Sequence, residues 1–204
     1  MDIIRDSVTK VQALLEHSGC EEVGVSLDVN PDTVNCQFEK GACMTASFGG
    51  RSADFVTFDP IRARTKISFM FDAALDTLST RGAASAIVNV VTGFFCLSRI
   101  LHACPAASHK SCREQLKQEI GGKRIFSVGE MTEIEQLFGG LIVTTPESAD
   151  VILINGEGLI AQGTGDLIVQ FRETKRVICI GSSAAGVARL HQIDHWCPFG
   201  RKCE

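Results

Sequence analysis

The sequence predicts an α/β fold in which a Rossmann-like half with a parallel sheet follows a small α+β part with an antiparallel hairpin. After residue 121, short strands that are apolar on both faces alternate with helices and Gly-rich turns, which is typical of a parallel sheet covered on both sides. Before that point, one helical repeat is followed by segments of alternating polar and apolar residues. We therefore divide the chain into an α+β part, residues 1–120, and a Rossmann-like part, residues 121–204.

The first part is predicted to contain helices around a hairpin. Residues 3–17 carry apolar side chains at helical spacing, and Ser18-Gly19 ends that helix. Residues 22–29 and 33–38 both alternate, and Asn30-Pro-Asp-Thr33 between them is typical of a turn, which predicts an antiparallel hairpin. Three further elements are expected before the boundary: a strand at 42–48, a helix at 69–78 and a nearly apolar helix at 82–101.

The last of these helices raises the question of a membrane span. Residues 82–98 carry no charge, but the stretch contains Asn89 and is shorter than the roughly 20 residues that cross a bilayer. We expect a buried helix and no membrane partner. Its small residues are compatible with the core of a monomer or with the seam of a homodimer.

The second part is predicted to contain four strands and the helices between them. The strands are apolar runs that each end near a Gly or a polar turn. The strands are placed at 123–128, 141–145, 150–155 and 176–180, and helices at 165–174 and 184–191.

Composition and charge narrow the class of protein. The formal net charge of −4 and the pI of about 5.8 lack the basic character that binding to nucleic acid or an anionic membrane requires. The amino end, Met1-Asp-Ile-Ile-Arg-Asp6, is not patterned as a secretory signal. We therefore expect a cytoplasmic protein, in which disulfides are not the default state of the nine cysteines.

Cysteines and histidines are concentrated in two stretches, residues 96–112 and 191–203. Thiolates and imidazoles are the ligands that Zn, Fe and Ni prefer, so this clustering predicts a transition-metal site. The spacings are not those of a zinc ribbon or finger, and the ligands would have to be assembled by the fold. The candidate ligands are His102, Cys104, His109, Cys112, His195, Cys197 and Cys203.

Cys112 is also a candidate for a reactive thiol. Ser111-Cys-Arg-Glu114 has the form of a capping box, which would place Cys112 in the first turn of a helix, where the amino end stabilises a thiolate. A catalytic thiol and a purely structural role remain open beside metal binding. The other cysteines are interpreted as packing residues: Cys20, Cys36, Cys43, Cys96 and Cys179.

Three Gly-rich turns follow predicted strands of the second part. Ligands of open α/β sheets bind beyond the carboxyl ends of the strands, and free amides at a helix start attract anions. None of the turns has the dinucleotide fingerprint or the P-loop pattern, and glycine could be required there by turn geometry alone. The residues expected to hold an anionic group or cofactor are Gly129, Asn155, Gly156, Glu157, Gly181, Ser182 and Ser183.

Short motifs give the chain a family resemblance. They are Gly82-Ala-Ala-Ser-Ala-Ile-Val-Asn89, Gly-Lys-Arg-Ile-Phe-Ser-Val-Gly129, Ala149-Asp-Val-Ile-Leu-Ile-Asn-Gly-Glu-Gly-Leu159 and Ile180-Gly-Ser-Ser183. In these motifs the sequence resembles the heavy-metal-chelation domain family of bacteria and archaea. The resemblance implies an enolase-amino-terminal-like part before a Rossmann-like half, with a metal or small ligand in the cleft between them. The Cys/His clusters are not part of that family pattern.

Three functions follow as hypotheses. The first is binding of a transition metal or a metal-containing or anionic cofactor at the cleft, in heavy-metal handling or cofactor biosynthesis. The second is a metal-independent transferase with a nucleotide-like cofactor on the Gly-rich strand ends. The third is a non-catalytic scaffold or subunit, and the sequence does not decide whether the protein is an enzyme.

Overall fold

The structure is a computed structural model that describes residues 1–38 and 41–200. Its amino-terminal elements are α1 (Ile3–Leu15), β1 (Gly24–Thr33), β2 (Gly41–Phe48), β3 (Arg51–Thr57), β4 (Ala63–Lys66), α2 (Ser68–Phe71), α3 (Leu78–Phe94) and α4 (His109–Ile120). Its carboxyl-terminal elements are β5 (Ile125–Val128), α5 (Thr132–Phe138), β6 (Val151–Ile154), α6 (Gly156–Ile160), α7 (Thr164–Phe171), β7 (Arg176–Ile180), α8 (Ala185–His191) and β8 (Asp194–Trp196).

The first four strands form an antiparallel sheet in the order β3-β2-β1-β4. β1 pairs with β2 over most of its length, with a register shift between Asn30 and Thr33. β4 pairs only with the first residues of β1, Gly24 to Leu27. β4 no longer pairs with β1 at Pro31, so the N–H that proline lacks costs no hydrogen bond to β4.

The last four strands form a parallel sheet in the order β5-β6-β7-β8. β6 is a central strand, and all four of its residues, Val-Ile-Leu-Ile, are buried. Such a strand needs cover on both faces. The predicted fold class is confirmed: an α/β protein with an antiparallel and a parallel sheet.

One hydrophobic core extends through both parts of the chain. It contains side chains of α1, the antiparallel sheet and α3 together with Ile152, Ile154 and Cys179 of the parallel sheet. α3 lies within this core, with every residue from Arg81 to Gly93 buried inside the chain. The boundary near residue 120 thus separates the two sheets along the sequence, but the hydrophobic core contains side chains from both sides of it.

Several local predictions are wrong. Residues 34–38 are irregular and the turn expected at 30–33 is part of β1, so the partner of β1 is β2. The helix predicted at 69–78 is limited to α2, and that predicted at 82–101 ends at Phe94. The strand predicted at 141–145 is reduced to one bridge, between Ile142 and Ile125.

The start of α4 also differs from its prediction. The helix begins at His109, two residues before the expected cap, and the Ser111 hydroxyl accepts a hydrogen bond from the Gln115 side chain at 3.2 Å. Cys112 nevertheless lies in the first turn. Over the described part of the chain, no helix combines the length and the apolar character needed to cross a bilayer.

Candidate functional site

A pocket lies beyond the carboxyl ends of β6 and β7, against the irregular segment that follows β1. Its cavity volume is about 20 Å³, room for one water or small ion. Carboxyl ends of parallel strands are the expected position of a ligand site in this class of sheet. The lining includes Cys36, Cys104, Cys197, Gly156, Glu157 and the turn Gly181–Ser183. The two sets of predicted site residues, thiols and Gly-rich turns, thus meet at one place.

Four thiols converge there from four separate segments of the chain. Cys36 follows β1, Cys104 follows α3, Cys112 lies in the first turn of α4 and Cys197 follows β8. All four are buried and none is in a disulfide. A second, smaller pocket, with a cavity volume of about 10 Å³, is lined by Cys36, Cys112 and Cys197, so Cys36 and Cys197 contribute to both pockets. We call these four residues the thiol cluster.

Hydrogen bonds distribute the protons unevenly within the thiol cluster. Hydrogen bonds to Cys104 and Cys112, together with burial, raise the pKa of Cys36 far above its usual range. The hydrogen bond from Cys36 lowers the pKa of Cys104, and the same interaction, followed by those of Trp196 and Arg113, lowers that of Cys112 to about 7. Cys36 therefore keeps its proton and donates it toward two sulfurs that carry negative charge more readily.

Cys197 is held differently. Burial, and then the charges on Cys104 and Cys112, raise its pKa to about 12. The Gly200 N–H faces its sulfur and acts in the opposite direction. A Cβ on Gly200 would lie 2.6 Å from the Cys197 Sγ, so the chain closes tightly over this thiol.

Two buried N–H groups of residues that line these pockets have no oxygen or nitrogen acceptor among the described residues. One is Asn35 Nδ2, whose residue lines the first pocket. The other is the indole Nε1 of Trp196, which lines the second pocket and acts on the Cys112 sulfur. A buried donor without an acceptor is destabilising, and a group with negative charge in the pocket would satisfy it.

The three predicted histidine ligands are engaged with other groups. His102 pairs with Asp54, with Nδ1 3.4 Å from the carboxylate. His109 Nε2 lies 3.2 Å from the Cys104 carbonyl oxygen, and His195 Nε2 lies 2.8 Å from that of Gly181. Burial lowers the pKa of His195, which favours its neutral form. These histidines therefore contact the backbone or a carboxylate at the segments that carry the thiol cluster.

Asp54 of β3 has a half-buried carboxylate that organises one of those segments. Burial alone would raise its pKa, but hydrogen bonds from His102, the Ala103 N–H and Thr45 outweigh it and lower the pKa. The Ala103 bond is 3.0 Å and the Thr45 bond 2.9 Å long. Asp54 thereby fixes the backbone beside Cys104.

The first two Gly-rich turns are packed against each other. Gly129 lies against the side chain of Asn155, which is fully buried. Asn155 Oδ1 accepts a hydrogen bond from the Gly158 N–H at 2.8 Å, and its Nδ2 donates to the Glu130 carbonyl at 2.7 Å. Asn155 therefore caps α6 and ties it to the turn after β5.

The polar groups of the other turns also have partners within the protein. Glu157 Oε1 accepts the Phe58 N–H at 3.0 Å, and Ser183 Oγ accepts the Val56 N–H at 2.9 Å. Gly181 has φ of +85°, and a Cβ there would collide with the amide of Gln37. Ser182 is buried beside it, and Gly156 lies against Ser183. These contacts supply a structural reason for the turn residues, and their role in holding an anion stays a prediction.

The sequence analysis missed one thiol of the site, and one of its predicted ligands lies outside the described residues. Cys36, interpreted from the sequence as a packing residue, is the thiol that bonds to both Cys104 and Cys112; its position between polar neighbours gave no signal. Cys203 lies outside the described residues. Cys43 and Cys179 are buried as expected, whereas Cys96 is exposed just beyond α3, so the prediction that it packs in a helix is wrong.

Among residues 1–38 and 41–200, no group of three or more His, Cys, Asp or Glu side chains is placed so that it could hold a metal ion. The thiol cluster has the donor types that such a site uses, but its central member, Cys36, is protonated and bonded to its neighbours.

Comparison with known proteins shows the fold alone. No family model and no curated protein sequence matches the chain. The chain is similar to the crystal structure of a protein of unknown function of the DUF364 family from Pyrococcus horikoshii, with 15% identity and a TM-score of 0.50. The match covers 90% of this chain and 80% of that chain.

Proposed function

We propose that this protein binds one soft or borderline transition-metal ion, Zn²⁺ in the first instance, through the thiolates of Cys36, Cys104, Cys112 and Cys197. The observation that carries the proposal is the convergence of these four thiols from four segments onto adjoining pockets. Four thiolates form a common tetrahedral ligand set for zinc.

The surroundings support a negatively charged metal–thiolate group. Four thiolates around a divalent cation leave a net charge of −2, and N–H donors to the sulfurs stabilise such a centre. Asn35 Nδ2 and Trp196 Nε1 are buried N–H groups of pocket-lining residues and have no oxygen or nitrogen acceptor among the described residues. The Gly200 N–H, which donates to the Cys197 carbonyl at 3.4 Å, also lowers the pKa of the Cys197 thiol.

Binding requires a local rearrangement. Cys36 must lose the proton that it shares with Cys104 and Cys112, so loading with metal releases protons. Three of the four cysteines, all except Cys112, lie outside helices and strands. Their sulfurs can therefore move onto a common ion by changes in irregular backbone.

The alternatives have weaker support. A nucleotide-like cofactor would use the Gly-rich turns, but Asn155, Glu157 and Ser183 already bond to backbone groups of the protein. A scaffold gives no reason for two unpartnered N–H groups to be buried in residues that line the pockets of the four thiols.

The proposal is tested by titrating reduced, metal-free protein with Zn²⁺ in competition with a coloured chelator, without oxygen. We expect one ion per chain, and Co²⁺ in its place should give the intense absorption of thiolate–cobalt bonds. Cys36→Ser and Cys112→Ser should each weaken binding on the order of 100-fold. Cys20→Ser and Cys96→Ser, outside the thiol cluster, serve as matched controls and should bind as the parent does. Equal affinity in all four variants, or no binding by the parent, would exclude the proposed site.

A further inference from the structure

Cys36 and Cys104 form the closest-coupled pair of the thiol cluster. Each is the residue that shifts the pKa of the other most strongly. Both line the larger pocket, together with Cys197. Cys112 lies behind Cys36, in the smaller pocket beside Leu116 and Trp196.

The backbone at both positions can adjust. Cys36 lies in the irregular segment after β1, and Cys104 precedes Pro105 in the irregular segment before α4. Neither residue contributes to a strand ladder or a helix. Disulfide geometry requires specific Cα and Cβ separations, and irregular segments reach them without breaking regular hydrogen bonding.

We propose that Cys36 and Cys104 are a modification site at which a hydroperoxide forms a reversible disulfide, and that this disulfide and the metal ion exclude each other. The disulfide rests on the position of both thiols in one pocket and on the irregular backbone at both residues. The exclusion rests on the proposed function, because the disulfide would remove two of the four thiolate ligands.

The chemistry balances with hydrogen peroxide as the oxidant. The Cys104 sulfur attacks one peroxide oxygen, the O–O bond breaks, and a sulfenic acid and one water form. The Cys36 sulfur then attacks the Cys104 sulfur, the S–O bond breaks, and hydroxide leaves with the Cys36 proton as a second water. Two thiols lose two electrons in total and one peroxide is reduced to two waters.

The pair is identified by peptide mapping of reduced, metal-free protein. The protein is treated with one equivalent of hydrogen peroxide, alkylated and digested with trypsin. Cys104 is the single cysteine of peptide 100–110, while peptide 11–40 contains Cys20 and Cys36. The Cys20→Ser variant therefore makes the assignment unique. We expect peptides 11–40 and 100–110 joined, lighter by two hydrogens than their sum and separated by reductant.

Other results would overturn the assignment. They are no cross-link, or a main cross-link from peptide 100–110 to 111–113 or 190–201, which contain Cys112 and Cys197. Cys36→Ser should abolish the joined peptides, and Cys96→Ser should keep them. The peptide map of the Cys20→Ser protein detects the disulfide directly, so it tests the assignment even if the Cys36→Ser protein does not fold.

Samples loaded with zinc before the oxidation distinguish the disulfide proposal from the proposed metal binding. Protein given one equivalent of zinc chloride before the peroxide should yield at least 10-fold less of the joined peptides. If zinc does not bind but the joined peptides form, the disulfide stands and the exclusion and the proposed function both fail. If zinc binds and metal-free protein forms no joined peptides, the disulfide fails while the proposed function stands.

Discussion

The hydroxyl oxygen of Ser183 accepts the backbone N–H of Val56 at 2.9 Å, and this bond joins the turn after β7 to strand β3 of the other sheet. Asn89 of α3 reinforces the junction, because its Nδ2 donates to the Ser183 carbonyl at 2.9 Å and its Oδ1 accepts the Gly186 N–H at 2.8 Å. The wall of the larger pocket is thus fixed by groups from both parts of the chain.

Ser183→Ala should destabilise the protein by about 1–3 kcal/mol, because it leaves the buried Val56 N–H without its acceptor. Chemical denaturation followed by circular dichroism measures the change. Ser111→Ala is the matched control, since that serine is exposed, and should change the free energy of unfolding by less than about 0.5 kcal/mol. Equal effects of the two substitutions would mean that the Ser183 bond contributes nothing.

Three strands of the parallel sheet, β5, β6 and β7, were predictable because they are encoded locally, whereas β8 (Asp194–Trp196) was missed. β6 is a short, wholly apolar run, and β7 matches its predicted bounds at residues 176–180. β3 was missed because it contains Arg51 and Asp54. The half-buried Asp54 carboxylate is stabilised by hydrogen bonds from other segments, which no local pattern encodes.

Part of the candidate site was predictable because it is also encoded locally in the sequence. Clustering along the sequence pointed to Cys104, Cys112 and Cys197, and the fold brings them together. Cys36 escaped because its partners are distant in sequence. The histidines were named for their chemistry, but His109 and His195 hydrogen-bond with backbone carbonyl groups that only the folded chain places beside them.

Gly158→Ala should destabilise the protein by at least about 3 kcal/mol, beyond ordinary overpacking, because the clash is with backbone. A Cβ at this position would lie 2.6 Å from the carbonyl carbon of Val128, where α6 passes over β5. Gly122→Ala is the control: nothing lies within 4 Å of its Cβ position, and loss of unfolded-state entropy should leave stability unchanged or raised by up to about 1 kcal/mol. Thermal unfolding of both variants measures the difference, and similar melting temperatures would refute the close approach.

Asp2→Ala should cost about 3 kcal/mol because Asp2 has two roles. It caps α1 by accepting the N–H groups of Ile4 and Arg5, and it pairs with Arg81, whose side chain is only 3% exposed. Removing the carboxylate leaves that guanidinium buried without a counter-charge. Asp2→Asn keeps the capping oxygen and loses the charge, so it should cost less than the alanine variant, which also loses about 1 kcal/mol of capping. Denaturation midpoints of the pair separate the roles; identical midpoints would show that the cap is not formed.

His191 should make stability depend on pH. Burial, and then the charge of Lys10, lower its pKa to about 4. Its Nε2 lies 2.9 Å from Ser7 Oγ, which itself donates to the Ile3 carbonyl, so the neutral imidazole donates through Nε2. Lys10 Nζ lies 3.4 Å from Nδ1 and donates to it, which fits the same tautomer. The Asp6 carboxylate lies 3.7 Å from Nε2, and its charge acts to raise the pKa of His191.

Because the folded-state pKa lies below the ordinary value near 6.5, the contribution of His191 is complete above that value and is lost as the pH falls toward 4. Between pH 7 and pH 5 the loss is about 2 kcal/mol. His191→Gln cannot titrate, so its free energy of unfolding should fall by about 2 kcal/mol less than that of the parent over this interval, although its stability at pH 7 is lower. Urea denaturation at both pH values gives the difference, in which the titration of all other groups cancels. Parallel curves for the two proteins would show that His191 is protonated in the folded state as easily as in the unfolded chain.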